Sequence, residues 1–261
     1  MDLNEILQDI KNGKLDLETA EGQIRSMGFV SYSNIAKIDT HRQSRTGIME
    51  AVLAEGKEPA DVVEIVKVQV AETGRALITR VSEKHLKALQ TSFSSSELEW
   101  NARACLAVVH DGTPAPRSGG VVGIISAGTA DVPVAEEARV VASEMGCKTI
   151  SIYDVGVAGI HRLIPELQKL KAKNPGALVV AAGREGTLPT VVSGLVDVPV
   201  IGLPVSTGYG AGGKGEAALL SMLQSCSIIS VVNIDAGFVA GAFAARIANL
   251  IAAGAGKEKL E

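Results

Sequence analysis

The sequence predicts an α/β protein in which a parallel sheet is flanked by helices and preceded by a smaller mixed α/β domain. Two observations predict this class. From residue 121 onwards, short apolar runs alternate with segments of helical length. The composition, with 46% apolar residues, 3% aromatic residues and 28 glycines, is typical of α/β proteins with close backbone contacts. The less regular pattern before that point divides the chain into an N-terminal domain, residues 1–115, and a C-terminal domain, residues 116–261.

The N-terminal domain is predicted to begin with two amphipathic helices. The segment EILQDIKNGKL places its apolar residues on one helical face and ends at Asn12-Gly13. Asp16 can cap the second helix. Residues 59–90 are expected to mix helix and strand, because their apolar residues are too dense to assign to one period. The segment HDGTPAPRSGG, with two prolines and three glycines, is the predicted linker.

The C-terminal domain is predicted to contain five buried strands, each followed by a helix. The strands are Val121–Ile125, Thr149–Tyr153, Ala177–Ala182, Val198–Leu203 and Ser227–Val232. The helices are expected near residues 133–145, 159–173, 187–196, 215–225 and 236–251. Right-handed βαβ units build a parallel sheet, in which ligands bind beyond the carboxyl ends of the strands. Site residues are therefore expected at the strand exits.

The first strand exit, in GIISAGTAD, changes abruptly from apolar to small and polar residues. Small residues let the backbone approach a ligand closely, and the next helix start offers free N–H groups to an anion. Asp131 can cap that helix or accept a hydrogen bond from a sugar hydroxyl. The other candidate binding residues at this exit are Ser126, Ala127, Gly128 and Thr129.

The second and third exits add two carboxylates. Asp154 ends the second strand in YDVGVAGIHR, where His161 is expected to be structural. In GREG, Glu185 stands between the candidate binding residues Gly183 and Gly186, just before a helix. A carboxylate in such a place is either a candidate acid or base or an ordinary exposed turn residue.

The fourth exit, LPVSTGYGAGGKGE, is rich in glycine. Its spacing mimics the dinucleotide-binding fingerprint, but it lies in the fourth βα unit and not in the first. Gly215 stands where a magnesium-binding Ser or Thr would complete a P-loop. The segment is therefore predicted to hold a phosphate or carboxylate with backbone N–H groups and Lys214. Its other candidates are Ser206, Gly208 and Gly210.

Cys226 lies between the fourth helix and the fifth strand, with a serine on each side. A lone cysteine is commonly a small buried apolar residue, but a thiolate is also a strong nucleophile near neutral pH. By topology, Cys226 is expected at the sheet edge opposite the strand exits. Either the cysteine of a neighbouring subunit completes the site, or the predicted strand boundary is wrong.

Several classes of protein are not expected. A net charge of −4 without a basic stripe argues against nucleic-acid binding. Arg246 and Asn249 interrupt the apolar segment FVAGAFAARIANLIAAGAG, which favours a buried helix over a membrane span. The three cysteines lack metal-type spacing, and the first residues lack a secretion signal. A reduced, cytoplasmic location is expected.

Several long segments together resemble the LarB family, enzymes that act in the synthesis of the nickel-pincer nucleotide cofactor. They are GIISAGTADVPVAEEA, YDVGVAGIHRL, GREGTLPTVVSGLV, GLPVSTGYG, GGKGEAALLSMLQSC and VVNIDAGF. The C-terminal half is similar to PurE, the carboxyaminoimidazole ribonucleotide mutase, and a weaker likeness extends through ILQDIKNGKLDLETAE and DTHRQSRTG. The sequence departs from the family pattern at Arg184, where an apolar residue is expected next to Glu185.

The resemblance implies a PurE-like sheet and a carboxylase/hydrolase. Its substrates would be nicotinic acid adenine dinucleotide, carbon dioxide or bicarbonate, and water, and its products pyridinium-3,5-biscarboxylic acid mononucleotide and AMP. The Cys226 thiolate would add transiently to the pyridinium ring and make C5 nucleophilic. Glu185, or after it Asp131, would remove the C5 proton, and Lys214 would stabilise anions.

The resemblance also implies a homo-octamer with sites at subunit contacts. Mg²⁺ would assist the phosphoanhydride hydrolysis without a dedicated protein cage, and the sequence does not identify its ligands.

Three other functions remain open from the sequence. The nearest is a PurE-like mutase acting on an imidazole ribonucleotide, although the additional N-terminal residues and Cys226 favour the LarB family. The second is a non-catalytic regulator that binds the dinucleotide without consuming it. The third is a dehydrogenase, which only the misplaced glycine fingerprint supports.

Overall fold

The computed structural model describes residues 3–26, 30–32, 36–40 and 42–257. The chain folds as two compact units, one formed by Met1–Glu99 and Ala107–Thr113 and the other by Trp100–Leu106 and Pro114–Glu261. The boundary that the sequence suggests between residues 115 and 116 stays a prediction.

The first unit is a mixed α/β structure. Its helices are α1 (Leu3–Lys11), α2 (Leu17–Ser26), α3 (Arg42–Thr46), α4 (Pro59–Thr73) and α5 (Glu83–Ser92). Its strands are β1 (Val30–Tyr32), β2 (Ala36–Ile38), β3 (Ala51–Leu53) and β4 (Arg75–Thr79), with β5 (Leu98–Asn101) and β6 (Leu106–His110) forming a hairpin whose tip belongs to the second unit. The four-stranded sheet has the order β3-β4-β6-β5 and contains both parallel and antiparallel pairs.

Local chemistry explains the helix ends of this unit. The Asp16 carboxylate accepts the backbone N–H of Thr19 at 2.8 Å, which confirms the predicted cap of α2. In the dense segment 59–90, α4 begins at Pro59, whose missing N–H costs nothing in a first turn. It ends at Gly74, which has a φ of 75° and donates its N–H to the Val70 carbonyl.

The second unit contains the predicted parallel sheet. Its strands are β7 (Val121–Ser126), β8 (Lys148–Ile152), β9 (Ala177–Ala182), β10 (Val200–Pro204) and β11 (Ser230–Val231). Its helices are α6 (Val132–Glu144), α7 (Leu163–Lys171), α8 (Leu188–Ser193), α9 (Glu216–Leu223) and α10 (Gly237–Lys257). The order is β11-β10-β9-β7-β8, with every neighbouring pair parallel. Every residue of the central strand β9 is buried, as expected where helices cover both faces.

Several predicted elements are shorter than expected, and two of them show the reason. The fifth strand starts at Ser230 and not at Ser227, because the Ser227 hydroxyl donates to the Thr190 carbonyl and holds this segment on α8. The predicted helix 159–173 begins as a 3-10 turn, Val157–Arg162, interrupted by a non-helical Gly159. Both differences lie at element ends, where loop contacts compete with the local period.

Helix α10 is long and apolar enough to cross a membrane by length and composition alone. It packs instead on α6 and on the sheet, burying alanines along one face. Gly241 permits this contact, because a Cβ there would lie 2.3 Å from the Ala138 carbonyl oxygen. The prediction of a buried helix in place of a membrane span agrees with this packing.

Candidate functional site

A pocket of about 650 Å³ opens at the carboxyl ends of the parallel strands. Its walls come from segments 127–131, 154–162, 182–188 and 207–209, one after each of the strands β7, β8, β9 and β10. The parallel registers bring these four exits to the same sheet edge. The pocket therefore lies where the sequence places the candidate site.

Asp131 ties three of these exits together. The residue is 5% exposed, and one carboxylate oxygen accepts the Gly128 backbone N–H at 2.8 Å. The other oxygen accepts the Gly183 backbone N–H at 3.1 Å and the Thr207 hydroxyl at 2.8 Å. Asp131 is the N-cap residue of α6, but its side chain makes no capping hydrogen bond to that helix. Since three donors converge on it, its carboxylate positions the loops that carry the rest of the site.

The second exit presents a guanidinium group. Asp154 has a φ of 60°, and its carboxylate accepts a hydrogen bond from Arg162 Nη1 at 2.6 Å. The buried Ser126 hydroxyl accepts the Asp154 backbone N–H at 3.4 Å and links β7 to this exit. Gly156 allows the two exits to touch, because a Cβ there would lie 2.9 Å from the Ala127 carbonyl oxygen.

The third exit carries Glu185, the candidate acid or base. A Cβ at Gly183 would lie 2.1 Å from Thr207 Oγ1, so only glycine fits between these two exits. Arg184 has a φ of 49° and donates its backbone N–H to the Thr207 carbonyl at 3.1 Å. The next residue, Glu185, lines the pocket with an exposed side chain. A carboxylate in this position can exchange a proton with a bound ligand.

The fourth exit contributes an aromatic ring. Tyr209 is 82% exposed, and Arg184 Cζ lies 5.2 Å from the centroid of its ring. A hydrogen bond and the charge interaction with Tyr209 raise the pKa of Arg184. Three residues before Tyr209, the Ser206 backbone N–H donates to the Asp235 carboxylate at 2.9 Å, which anchors the start of this loop.

The structure brings together eight of the predicted site residues and leaves six outside the pocket lining. Those that line it are Ala127, Gly128, Thr129, Asp131, Asp154, Gly183, Glu185 and Gly208. Those that do not are Ser126, Gly186, Ser206, Gly210, Lys214 and Cys226. Lys214 is exposed in the turn before α9. Its predicted contact with the substrate therefore requires either a movement of this loop or a Lys214 from a second subunit.

Cys226 lies near the amino ends of the parallel strands, opposite the carboxyl ends where the pocket opens, as the topology predicts. Its thiol is exposed in the loop between α9 and β11, and β11 pairs in parallel with β10. The loop is fixed to α8 because the Thr190 hydroxyl donates to Ser225 Oγ at 2.8 Å. A single chain therefore does not bring Cys226 to its own pocket.

Sequence reasoning did not assign several pocket residues to the site, among them Arg162, Thr187, Thr207 and Tyr209. The available signal for Arg162 was a cation eight residues after Asp154, at the same strand exit. For Tyr209, it was an aromatic residue set between glycines in a predicted anion-binding loop. Thr187 and Thr207 carry no comparable sequence signal.

A cluster of polar residues holds Tyr153, the residue directly before Asp154 at the second exit. Glu136, which is buried, accepts hydrogen bonds from Asn101 at 2.7 Å, from Arg139 at 2.7 and 3.0 Å, and from the Tyr153 hydroxyl. Burial raises the pKa of Glu136, but these three donors outweigh it and leave the pKa below its usual 4.5. Burial and the bond to Glu136 raise the pKa of Tyr153 to about 12. Tyr153 directly precedes Asp154, so the cluster supports the pocket wall.

Chemically, the pocket can bind an anion and move a proton. The guanidinium groups of Arg162 and Arg184 can hold phosphate or carboxylate, and the exposed carboxylate of Glu185 lines the same pocket. A dedicated Mg²⁺ site does not fit, because the described residues contain no group of three His, Cys, Asp or Glu side chains suited to a metal. Asp131 and Asp154 already have partners in the protein. Mg²⁺ stays a prediction.

Comparison with known proteins agrees with this architecture. Residues 30–110 match the LarB/PurE-like N-terminal domain, and residues 121–260 match AIR carboxylase. An uncharacterized protein of Methanocaldococcus jannaschii is 39% identical over 253 residues, covering 95% of this chain and 98% of the relative.

Two N5-carboxyaminoimidazole ribonucleotide mutases are similar over shorter stretches. That of Pyrococcus horikoshii is 32% identical over 118 residues, covering 44% of this chain and 63% of the relative. That of Thermotoga maritima is 35% identical over 91 residues, covering 33% and 50%. With the two domain matches in this order and a full-length relative, the chain belongs to the LarB family, whose C-terminal domain is of the AIR carboxylase type.

Proposed function

We propose that this protein is a carboxylase/hydrolase that acts on nicotinic acid adenine dinucleotide. The observation that carries the proposal is one strand-exit pocket that both the Glu185 carboxylate and the Arg162 guanidinium line, on a chain of the LarB family. The dinucleotide, carbon dioxide or bicarbonate, and water would give pyridinium-3,5-biscarboxylic acid mononucleotide and AMP. We place the reaction in the cytoplasm, where an exposed thiol stays reduced.

Carboxylation of the pyridinium ring requires a nucleophile. The Cys226 thiolate adds to the carbon next to C5, and the ring electrons form a neutral enamine. C5 then attacks carbon dioxide and forms the new carbon–carbon bond. A base takes the C5 proton, the carbon–sulfur bond breaks, and the ring becomes aromatic again. Every electron pair is accounted for without an oxidant or a reductant.

Glu185 is the base in this proposal. Its side chain is exposed to the pocket, whereas the Asp131 carboxylate is buried and accepts three hydrogen bonds. Glu185→Gln should abolish carboxylation while the dinucleotide still binds. Loss of binding in this variant would make Glu185 a contact residue.

A second subunit supplies Cys226. The exposed apolar side chains of Leu220, Leu223 and Ile228 flank this cysteine, and a patch of this kind marks a protein interface. We propose a homo-octamer in which the thiol, and with it Lys214, reaches the pocket of a neighbouring chain. Cys226→Ala should then lose both the adduct and the product, and normal turnover would remove the thiol from the mechanism.

The reaction is tested by mass spectrometry of the purified protein incubated with nicotinic acid adenine dinucleotide, Mg²⁺ and isotopically labelled bicarbonate. The expected result is a labelled dicarboxylated mononucleotide together with AMP. An unchanged dinucleotide, with the protein folded and oligomeric, would contradict the proposed substrate.

The second candidate is an N5-carboxyaminoimidazole ribonucleotide mutase, which the likeness to the two mutases favours. The same assay with that ribonucleotide separates the two enzymes. Binding of the dinucleotide without turnover would instead support the non-catalytic regulator.

A further inference from the structure

The pocket rim carries an aromatic ring that has no packing role. Tyr209 is 82% exposed in a chain with only 3% aromatic residues, so burial does not explain its presence. The Arg184 guanidinium carbon lies 5.2 Å from the ring centroid, within the distance at which a cation over an aromatic ring is attractive. Both residues line the pocket.

The backbone holds this pair in place. Arg184 has a φ of 49°, a left-handed conformation that is unfavourable for a side chain of this size. Its N–H donates to the Thr207 carbonyl at 3.1 Å, which joins the third exit to the loop that carries Tyr209. Gly208 and Gly210, with φ of 151° and 81°, supply the turns on either side of the ring. Two loops thus converge to present one ring and one guanidinium.

We infer that Arg184 and Tyr209 form a stacking subsite for the purine base of the nucleotide that leaves the substrate. This inference rests on the proposed function, because it assigns the second half of the dinucleotide. Arg184 supports the ring as a positioning residue, and the base stacks on Tyr209. The pyridinium half then lies toward Glu185, which lines the same pocket.

The physical basis is the geometry of flat π-systems. An exposed tyrosine ring offers a face to any planar base, and a guanidinium held against it limits its rotation before the ligand arrives. A rim site for the leaving half also aligns the phosphoanhydride with the pocket wall, where Arg162 lies. The subsite should therefore contribute to binding of the dinucleotide and of AMP, but not to binding of nicotinic acid mononucleotide.

Isothermal titration of the full-length protein with AMP, and separately with nicotinic acid mononucleotide, tests this assignment. Tyr209→Ala should weaken AMP binding about 10-fold, and Tyr209→Phe should retain it, because a stacked base depends on the ring and not on the hydroxyl. Arg184→Ala should weaken AMP binding about 3-fold through loss of the supporting cation. Arg103→Ala, at an exposed arginine outside the pocket lining, is the matched control and should change neither affinity.

Several outcomes would overturn the inference. They are no AMP binding by the wild-type protein, unchanged AMP binding in Tyr209→Ala, and equal weakening of both ligands, which would indicate a folding role for the loop. A loss of AMP binding in Arg184→Ala but not in Tyr209→Ala would also overturn it, since the guanidinium would then bind phosphate. If AMP binds through Tyr209 while the dinucleotide is not converted, the subsite stands and the proposed reaction fails.

Discussion

At the scale of single residues, Asp131 shows how one buried carboxylate organises a site. It is a strand-exit residue whose three donors come from three different exits. Charge-assisted hydrogen bonds of this kind are stronger than neutral ones. A carboxylate with this many partners is better suited to holding loops than to shuttling protons, which is why Glu185 takes the role of base in our proposal.

Asp131→Asn tests this positioning role. The amide has only one acceptor oxygen, so at least one of the three donors is left without its partner, at a cost of about 1–3 kcal/mol in the free energy of unfolding. Urea denaturation measures the loss, and ligand titration should show weakened binding. Asp197→Asn, at an exposed aspartate away from the pocket, should change stability by less than about 0.5 kcal/mol. Equal effects of the two variants would contradict the role.

Glu136 makes a prediction about acid stability. Its folded pKa lies below 4.5 because the donors from Asn101, Arg139 and Tyr153 outweigh the effect of burial. A lowered pKa stabilises the fold above the unfolded value of the group, and this contribution is lost as the pH falls through the folded pKa. Glu136→Gln should therefore lower the unfolding free energy at pH 7, and the difference from wild type should shrink below about pH 4.5.

Denaturant titrations of both proteins between pH 3 and 7 measure this difference. Glu166→Gln, which removes one half of an exposed ion pair with Lys169, should have little effect at any of these pH values. A difference between wild type and Glu136→Gln that does not change with pH would show that the ionised carboxylate is not what stabilises the cluster.

At the scale of elements, the turn between β9 and α8 has two separate functions. Glu185 lines the pocket, whereas the next residue, Gly186, is buried and has a φ of 65°. A Cβ at Gly186 would lie 2.6 Å from the Ala218 carbonyl oxygen in α9. Gly186 thus lets α9 pack against the turn, a role different from the substrate contact that the sequence suggests.

Gly186→Ala should lower the unfolding free energy by about 1–3 kcal/mol, through strain at positive φ and a clash with helix backbone. Thermal denaturation measures this change. Gly194→Ala, at a helical φ with its nearest neighbour 3.6 Å from the added Cβ, is the matched control and should be neutral or slightly stabilising. Similar losses for both would mean that the close contact with α9 is not what requires glycine.

At the scale of the whole molecule, a single chain is incomplete as an enzyme of the proposed kind. Its pocket and Cys226 lie at opposite ends of the parallel strands, and exposed apolar residues precede and follow the cysteine along the chain. Ile228 is 95% exposed. Association between copies would bury these side chains and complete the site at the same time.

Leu220→Glu combined with Leu223→Glu should dissociate the assembly, because burying two uncompensated carboxylates at an interface is strongly unfavourable. Light scattering after size exclusion should show a smaller particle, and carboxylation should be lost although Cys226 is present. Leu7→Glu, at an exposed leucine of α1, should leave the particle size unchanged. Full activity of a dissociated double variant would contradict a shared site.

The sequence predicted the alternating elements of the C-terminal sheet and the strand exits that form the pocket. It did so because hydrogen bonding within helices and the period of buried side chains are properties of short segments. It did not resolve residues 59–90, where α4 and β4 are both too densely apolar for one period to stand out. It also overestimated the length of β11, because the contact of Ser227 with Thr190 decides where that strand begins.

The sequence by itself determined the fold class, the family and the end of the parallel strands at which the pocket opens. Only the tertiary structure decided that Asp131 joins Gly183 and Thr207, residues 52 and 76 positions away, and that Arg184 lies over Tyr209. The register of the parallel strands determines which loops meet, and that register depends on packing across the whole sheet. The apolar period of a short segment does not predict contacts between loops far apart in the sequence. The partners at the site are therefore seen only in the folded chain.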